Sequence, residues 1–229
     1  MIQRPTVVTF DCYGTLVDWE SGISSFLEQL FREKRVKADV AEVVKAREDL
    51  DFELVKGPYR SYREILTLSL RSTFANFQIE YNEDDGKLLA ESVPSWPVFE
   101  ETRPALERLG RKCRLAIISN IDTDIIEKTK LRIGVPFDLI VTAERARAYK
   151  PSARPFELAL QKLACKPHDI LHVSSGFRYD IPPARKLGFR TAWVNRKQET
   201  KPAGVQADYE FGTLAELAEF VDGLAEKKG

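Results

Sequence analysis

Long apolar runs are missing from this chain of 229 residues. No stretch approaches the about 18 consecutive apolar residues that a membrane-spanning helix needs. The opening MIQRPTVVTFDCYG meets Asp11 after a very short apolar run, too short for a secretory leader with an apolar centre of about 7–15 residues. Cysteine is scarce: Cys12, Cys113 and Cys165 are an odd number at wide spacings, which argues against a disulfide framework and for a reducing compartment. With only His168 and His172, and no CxxC pair, a zinc site has too few ligands. Net charge is absent as well, 35 Lys and Arg balancing 35 Asp and Glu, so nothing draws the chain as a whole to nucleic acid or to an anionic membrane. Twelve Gly and twelve Pro exclude collagen-like and low-complexity readings. What is present is 43% hydrophobic residues, enough for a core. The expectation is a soluble, cytoplasmic, globular protein with no nucleic-acid or membrane partner.

At about 150 residues per domain, the length suits one domain with a sizeable insertion. Short runs rich in Val, Ile, Leu or Phe recur at Thr6–Phe10, Arg114–Ile118, Phe137–Val141, Ile170–Val173 and Thr191–Val194. Runs of this kind, closed by polar or turn residues, read as strands of a parallel sheet covered on both faces. Helical segments alternate with the later ones: Asp122–Ile133 before Gly134, Pro155–Leu163 with Pro at its first turn, and Ile181–Leu187 before Gly188. The pattern predicts an α/β protein with a Rossmann-like, doubly wound sheet.

One interval breaks the rhythm. About a hundred residues separate Phe10 from Arg114, where a crossover needs only about a dozen. Its pattern is helical. Ile23, Phe26, Leu27, Leu30 and Phe31 fall on one face of a helix. Asp39 can cap a second helix carrying Val40, Val43, Val44 and Leu50, and Ser61 with Glu64 forms a capping-box signature for a third. Gly57-Pro58 separates the last two, and Pro94-Ser95-Trp96-Pro97 marks the return to the sheet. The expected organisation is a helical cap at 17–95 inserted into a core of 1–16 and 96–229, with Glu226–Gly229 as a frayed tail.

In an open α/β sheet the ligand sits beyond the carboxyl ends of the strands. Asp11-Cys12-Tyr13-Gly14-Thr15 follow the first run, Ser119-Asn120 the second, and Ser174-Ser175 the fourth, with Asp180 opening the next helix and Lys150 in a loop before another. A buried Asp facing a Lys keeps its charge, because the ammonium favours the anion. Such a carboxylate, partly desolvated, is a nucleophile candidate. His172, inside an apolar run, reads as a satisfied core histidine and Cys12 as structural. Trp19, Phe177 and Tyr179 fit either a pocket wall or ordinary packing.

FDCYGT, LAIISN, YKP and VSSGFRYDIPPAR, in this order and spacing, resemble the four motifs of the haloacid dehalogenase superfamily, and specifically its type II L-2-haloacid dehalogenase branch. The resemblance spans nearly the whole chain, less tightly in the cap. It implies a hydrolase that displaces halide from short 2-halo carboxylic acids through an aspartyl ester. Asp11 would attack C2 with inversion, Lys150 would hold Asp11 ionised, and Asp180 would orient or activate the hydrolytic water. Thr15, Ser119, Ser174 and Ser175, with backbone N–H groups near Tyr13, would hold the substrate carboxylate and the nucleophile. Asn120 and the cap-borne Arg47 would take the halide. No cofactor and no metal are implied; a homodimer is expected by resemblance alone.

Two positions separate this chain from the phosphatases of the superfamily. Where they carry a second Asp two residues after the nucleophile there is Tyr13, which cannot protonate a leaving group near neutral pH. Where they place an acidic magnesium ligand there is Ser175. Two positions also depart from the dehalogenase branch: Phe156 replaces an aromatic hydroxyl, and Gly176 replaces an Asn. Both remove polar contacts and bear on substrate identity. A related member opens a strained four-membered ring amino acid, so carbon–nitrogen cleavage stands as the alternative, ahead of a magnesium-dependent phosphatase or a silent member of the fold.

Overall fold

The structure is a computed structural model and describes residues 3–225; the expected tail at 226–229 lies outside the described residues. In chain order the elements are β1 (Val7–Phe10), α1 (Trp19–Lys34), α2 (Val40–Leu54), α3 (Tyr62–Asn76), α4 (Glu83–Ser92), α5 (Thr102–Gly110), β2 (Arg114–Ser119), α6 (Thr123–Ile133), β3 (Leu139–Thr142) and α7 (Ala143–Ala146). There follow α8 (Arg154–Leu163), β4 (Ile170–Ser174), α9 (Phe177–Lys186), β5 (Arg190–Val194), β6 (Tyr209–Phe211) and α10 (Leu214–Asp222). All five expected strands are present in one parallel sheet of order β3-β2-β1-β4-β5-β6. Strands β1 and β4 are buried along their whole length, as apolar runs covered on both faces should be.

The strand order reverses at β1, so the gap between the ends of β1 and β4 is the topological switch point where such sheets bind ligands. Register aligns the chemistry there. Phe10 pairs with Ile117 on one side and Val173 on the other, which brings Asp11, Ile118 and Ser174 to one level. The Asp11 amide still donates to Val173 O at 3.0 Å, extending the ladder by one residue before the chain turns away.

The turn is tight. Gly14 takes φ +102°, and a Cβ there would lie 2.9 Å from Ser175 Oγ and 3.3 Å from the Trp19 ring. Only glycine meets both demands at low cost.

Helices α1–α4 fill the long interval. Asp18 caps α1 by accepting from Ser21 N at 3.1 Å, and Ile23, Leu27, Leu30 and Phe31 are buried on its inner face, with Phe26 partly covered. Asp39 accepts from Ala41 N and Glu42 N at the head of α2. Ser61 and Glu64 form the capping box of α3. A second box, Asn82 with Asp85, opens α4, which the apolar pattern had not marked. Helix α9 begins at Phe177 rather than Ile181, which puts Asp180 in its first turn. Strand β6, only three residues and incompletely buried at the sheet edge, carries too short an apolar signal to be read in advance.

The helical segment docks on the sheet through its own helix ends. Asp122 leaves its own helix uncapped and instead accepts from Tyr62 N at 2.8 Å and Arg63 N at 3.1 Å, the first amides of α3. Tyr149 Oη donates to Arg60 O at 2.9 Å, and the Phe52 and Tyr179 rings meet edge-on at 5.0 Å. No helix among the described residues is long and apolar enough to cross a membrane.

Candidate active site

Asp11, at the end of β1, is buried, and each of its carboxylate oxygens has one donor. Lys150 Nζ gives a hydrogen bond to Oδ1 at 2.8 Å and Thr15 Oγ1 one to Oδ2 at 2.9 Å. Lys150 is 1% exposed, and its ammonium has three acceptors: Asp11 Oδ1, Ile118 O at 2.9 Å and Asp180 Oδ1 at 2.7 Å. One buried cation therefore serves two buried carboxylates.

The loop that carries Lys150 is fixed by the residue that follows β2. Asn120 Nδ2 donates to Lys150 O at 2.9 Å, and Lys150 N donates to Asn120 Oδ1 at 2.7 Å. A single amide side chain thus satisfies both backbone groups of the lysine, as an unpaired buried backbone demands.

The two carboxylates differ in their donors. Asp180 also accepts from Ser174 Oγ at 2.9 Å and pairs with His172 Nε2 at 2.8 Å, while His172 Nδ1 faces Thr9 Oγ1 at 2.9 Å. Burial alone would raise the Asp180 carboxyl, but the Lys150 charge and the His172 contact bring it below the ordinary carboxylate range. Asp11 goes the other way. Burial dominates, the nearby Asp180 charge adds to it, and Lys150 and Thr15 offset only part, leaving the group raised. Desolvation would lower the Lys150 ammonium, yet two carboxylates more than compensate and hold it charged. Asp11 is consequently the more basic and less hydrogen-bonded carboxylate, the better nucleophile of the two.

These groups face a cavity of about 710 Å³ between the strand ends and α2. Of the residues singled out in the sequence, Asp11, Tyr13, Arg47, Ser119, Asn120, Lys150, Ser175 and Asp180 line it. Thr15 and Ser174 are fully buried just behind it: Thr15 bonds Asp11 and accepts from Ser175 N at 2.9 Å, and Ser174 bonds Asp180 and accepts from Gly176 N at 2.9 Å. Trp19, Phe177 and Tyr179 are wall residues. Phe156 is not; it packs edge-on against the His172 ring at 5.1 Å and fills core. Tyr13 turns its hydroxyl away to Thr129 Oγ1 at 2.8 Å, and burial drives that phenol well up, so it offers no proton to the cavity.

Arg47 reaches the wall from α2, 2% exposed, and it does not come alone. Its Nη1 lies 2.8 Å from Asp51 Oδ2, one helical turn on, and donates to Ser69 Oγ at 3.3 Å. Asp51 lines the cavity too, and the pattern reading had passed it over. The signal was present: Val43, Val44, Arg47 and Asp51 are the buried residues of α2, so two opposite charges occupy the inward stripe of an amphipathic helix.

This set has what displacement by a carboxylate needs, and little of what a metal-assisted reaction needs. Magnesium seeks several hard anionic oxygens. Here Asp180 is saturated by Lys150, His172 and Ser174, Tyr13 points elsewhere, and Ser175 brings only a neutral hydroxyl, so the set does not fit that ion. Among the described residues no three His, Cys, Asp or Glu converge as metal ligands.

Known proteins are similar at every level. Haloacetate dehalogenase H-2 of Moraxella sp. (strain B) is 30% identical over 85% of this chain and 88% of its own. (S)-2-haloacid dehalogenase 2 of Pseudomonas sp. (strain CBS-3) is 29% identical over 94% and 95%. A crystallised L-2-haloacid dehalogenase, 25% identical, superposes with a TM-score of 0.86 over 97% of this chain and 100% of its own. The family model for haloacid dehalogenase-like hydrolases matches residues 5–188, across the strand that ends at Asp11, the helical segment and the lysine and aspartate beside it, and this chain belongs to that family.

Proposed function

We propose that this enzyme hydrolyses short 2-halo carboxylic acids to 2-hydroxy acids through an ester on Asp11. The observation that carries the reading is the state of Asp11 itself. It is a buried carboxylate whose two oxygens each keep one donor, one of them the Lys150 ammonium, at a site where Tyr13 turns its hydroxyl away. A leaving group expelled there must depart without protonation, which suits a halide. The relatives named haloacetate and 2-haloacid dehalogenases support the same class of substrate.

In this account Asp11 displaces halide from C2 with inversion, breaking the carbon–halogen bond and forming the ester. Whichever oxygen attacks, the other becomes the ester carbonyl and retains either Lys150 or Thr15 as donor. That donor then stabilises the oxyanion when water adds to the carbonyl carbon; its collapse breaks the bond to the C2 oxygen and restores the Asp11 carboxylate, one water proton going to the departing alkoxide and the other to solvent. Lys150 keeps its charge throughout, because Asp180 still pairs with it after Asp11 is neutralised. Asp180, with a depressed pKa, is a poor proton abstractor and acts by orienting the lysine and the water. Ser119, Ser175 and the backbone N–H groups near Tyr13 receive the substrate carboxylate. Arg47, the buried cation on the cap side of the cavity, receives the departing halide; Asn120 acts through Lys150.

The helical segment 17–95 serves as the cap over a core of 1–16 and 96–229. Closing it excludes water and strengthens the charge interactions inside. A panel of short 2-halo acids with free halide as readout tests the reading. Halide release that a chelator leaves untouched supports it; release from none of them, with magnesium-dependent phosphate release instead, overturns it.

A further inference from the structure

The cavity is much larger than a small 2-halo acid fills. Its volume of about 710 Å³ has room for about twenty waters at about 30 Å³ each, and 2-chloropropanoate has only about six non-hydrogen atoms. Cavities of this size bury ligands that carry a ring system, chiefly against apolar and aromatic walls.

Aromatic walls are present. Trp19, Tyr62, Phe177 and Tyr179 line the cavity and are only half-buried, so each keeps ring surface uncovered after packing. Trp19 and Phe177 flank Ser175, which receives the substrate carboxylate in the account above. A Cβ on Gly14 would lie 2.9 Å from Ser175 Oγ and 3.3 Å from the Trp19 ring, which places indole and hydroxyl against the same glycine. On the other flank Trp193 is buried, donates from Nε1 to Ser175 O at 3.1 Å, and meets the Phe177 ring edge-on at 5.1 Å. That indole holds Phe177 in place at the wall. Gly176, next to Phe177, has φ −75°, and a Cβ there would meet nothing nearer than 3.4 Å. Neither backbone nor packing demands a glycine, so its effect is to leave the wall uncluttered beside Tyr179.

The charged side chains fall in two sets. Asp11, Lys150, Asp180 and the Arg47–Asp51 pair are buried. At the rim Lys45 and Asp49 are exposed, and Arg178, Arg196 and Lys197 pair with Glu48, Glu101 and Glu20. Uncovered rings grouped inside a cavity mark a binding surface for something apolar.

Resting on the function proposed above, we propose that Trp19 and Phe177 form a subsite for an aromatic ring, so that the preferred substrate is a 2-halo acid with an aryl group on C3. Rings that meet edge-on or offset gain beyond the area they bury, an advantage that a saturated ring of the same size does not share.

The first test needs no turnover. Binding of propanoate, 3-cyclohexylpropanoate and 3-phenylpropanoate to the unmodified enzyme is compared by ligand-detected NMR titration. The phenyl acid is expected to bind at least about tenfold more tightly than propanoate, and at least about threefold more tightly than the cyclohexyl acid. A phenyl acid that binds no better than either of the other two overturns the proposal. Trp19→Ala and, separately, Phe177→Ala are each expected to cut the phenyl advantage over propanoate about threefold, and an advantage that either variant leaves unchanged overturns it as well. The comparison on the unmodified enzyme decides even where a variant folds poorly. Halide release from 2-chloropropanoate and 2-chloro-3-phenylpropanoate separates the two claims. Release from both without a phenyl preference sinks only the aryl subsite; a phenyl preference in binding with release from neither sinks only the dehalogenation reading.

Discussion

Replacing Lys150 with Met keeps an unbranched side chain, one atom shorter, and removes the one cation shared by Asp11 and Asp180. The lost attraction can be sized. Opposite unit charges about 4 Å apart attract by about 4 kcal/mol at an effective dielectric near 20. At about 1.4 kcal/mol per unit, that is close to three pKa units. Asp180 still has His172 and Ser174 as donors, whereas Asp11 is left with Thr15 alone, so the shift falls on Asp11. Its pKa already stands above the ordinary 3.8 because of burial. Attack requires the anion, so activity is lost as pH falls through this pKa. Lys150→Met should therefore move the acid limb of the kcat/KM profile alkaline by about three units, with partial recovery of rate above it. The profile measured by halide release checks this. An acid limb left where it was in the unmodified enzyme would refute the idea that Lys150 sets the ionisation of Asp11.

Other substitutions probe stability. Asp11→Asn should abolish turnover yet melt no lower than the parent at neutral pH: a carboxyl whose folded pKa is raised is destabilising once ionised, and the amide removes that burden. A fall of more than a few degrees would contradict this. Asp180→Asn should cost about 3 kcal/mol in urea unfolding, because it leaves the buried Lys150 with Asp11 as its one remaining carboxylate and takes the charged partner from His172. Since Asp180 has a depressed folded pKa, its contribution is present above the unfolded value near 3.8 and disappears as pH falls through the folded one, so the variant and parent should converge in strong acid. Arg47→Ala should destabilise by about 3 kcal/mol through the unpaired Asp51, and adding Asp51→Ala should cost less than the sum of the two single changes.

Much of this architecture was legible because both periodicities are clean. The five buried strands are short apolar runs, α1 announces itself through its apolar face, and α2 and α3 through the Asp39 and Ser61 caps. The convergence of Asp11, Lys150 and Asp180 followed from their places after the strands, since a parallel register aligns strand ends. Depth was not legible. Thr15 and Ser174 fall on the same strand ends as Asp11 and Ser175, yet they sit behind the cavity and hold the carboxylates. The reciprocal bonds between Asn120 and Lys150 join residues thirty positions apart and leave no local trace. Asp51 was hidden for a different reason: a helix written as apolar plus polar gives no weight to a charge on the apolar stripe. His172 read as a core histidine and is one, fully buried, but its partner is Asp180, so the core and the site share one network.

The covalent route is the centre of the account, and the origin of the product oxygen tests it most directly. A single turnover of 2-chloropropanoate in heavy-oxygen water, with enzyme in excess, is analysed by mass for both the product and the peptide that contains Asp11. If Asp11 forms the ester and water attacks its carbonyl carbon, the label enters the Asp11 carboxylate and the 2-hydroxy acid carries unlabelled oxygen at C2. Label at C2 of the first-turnover product, with none in the Asp11 peptide, would show water attacking carbon directly and contradict a nucleophilic Asp11.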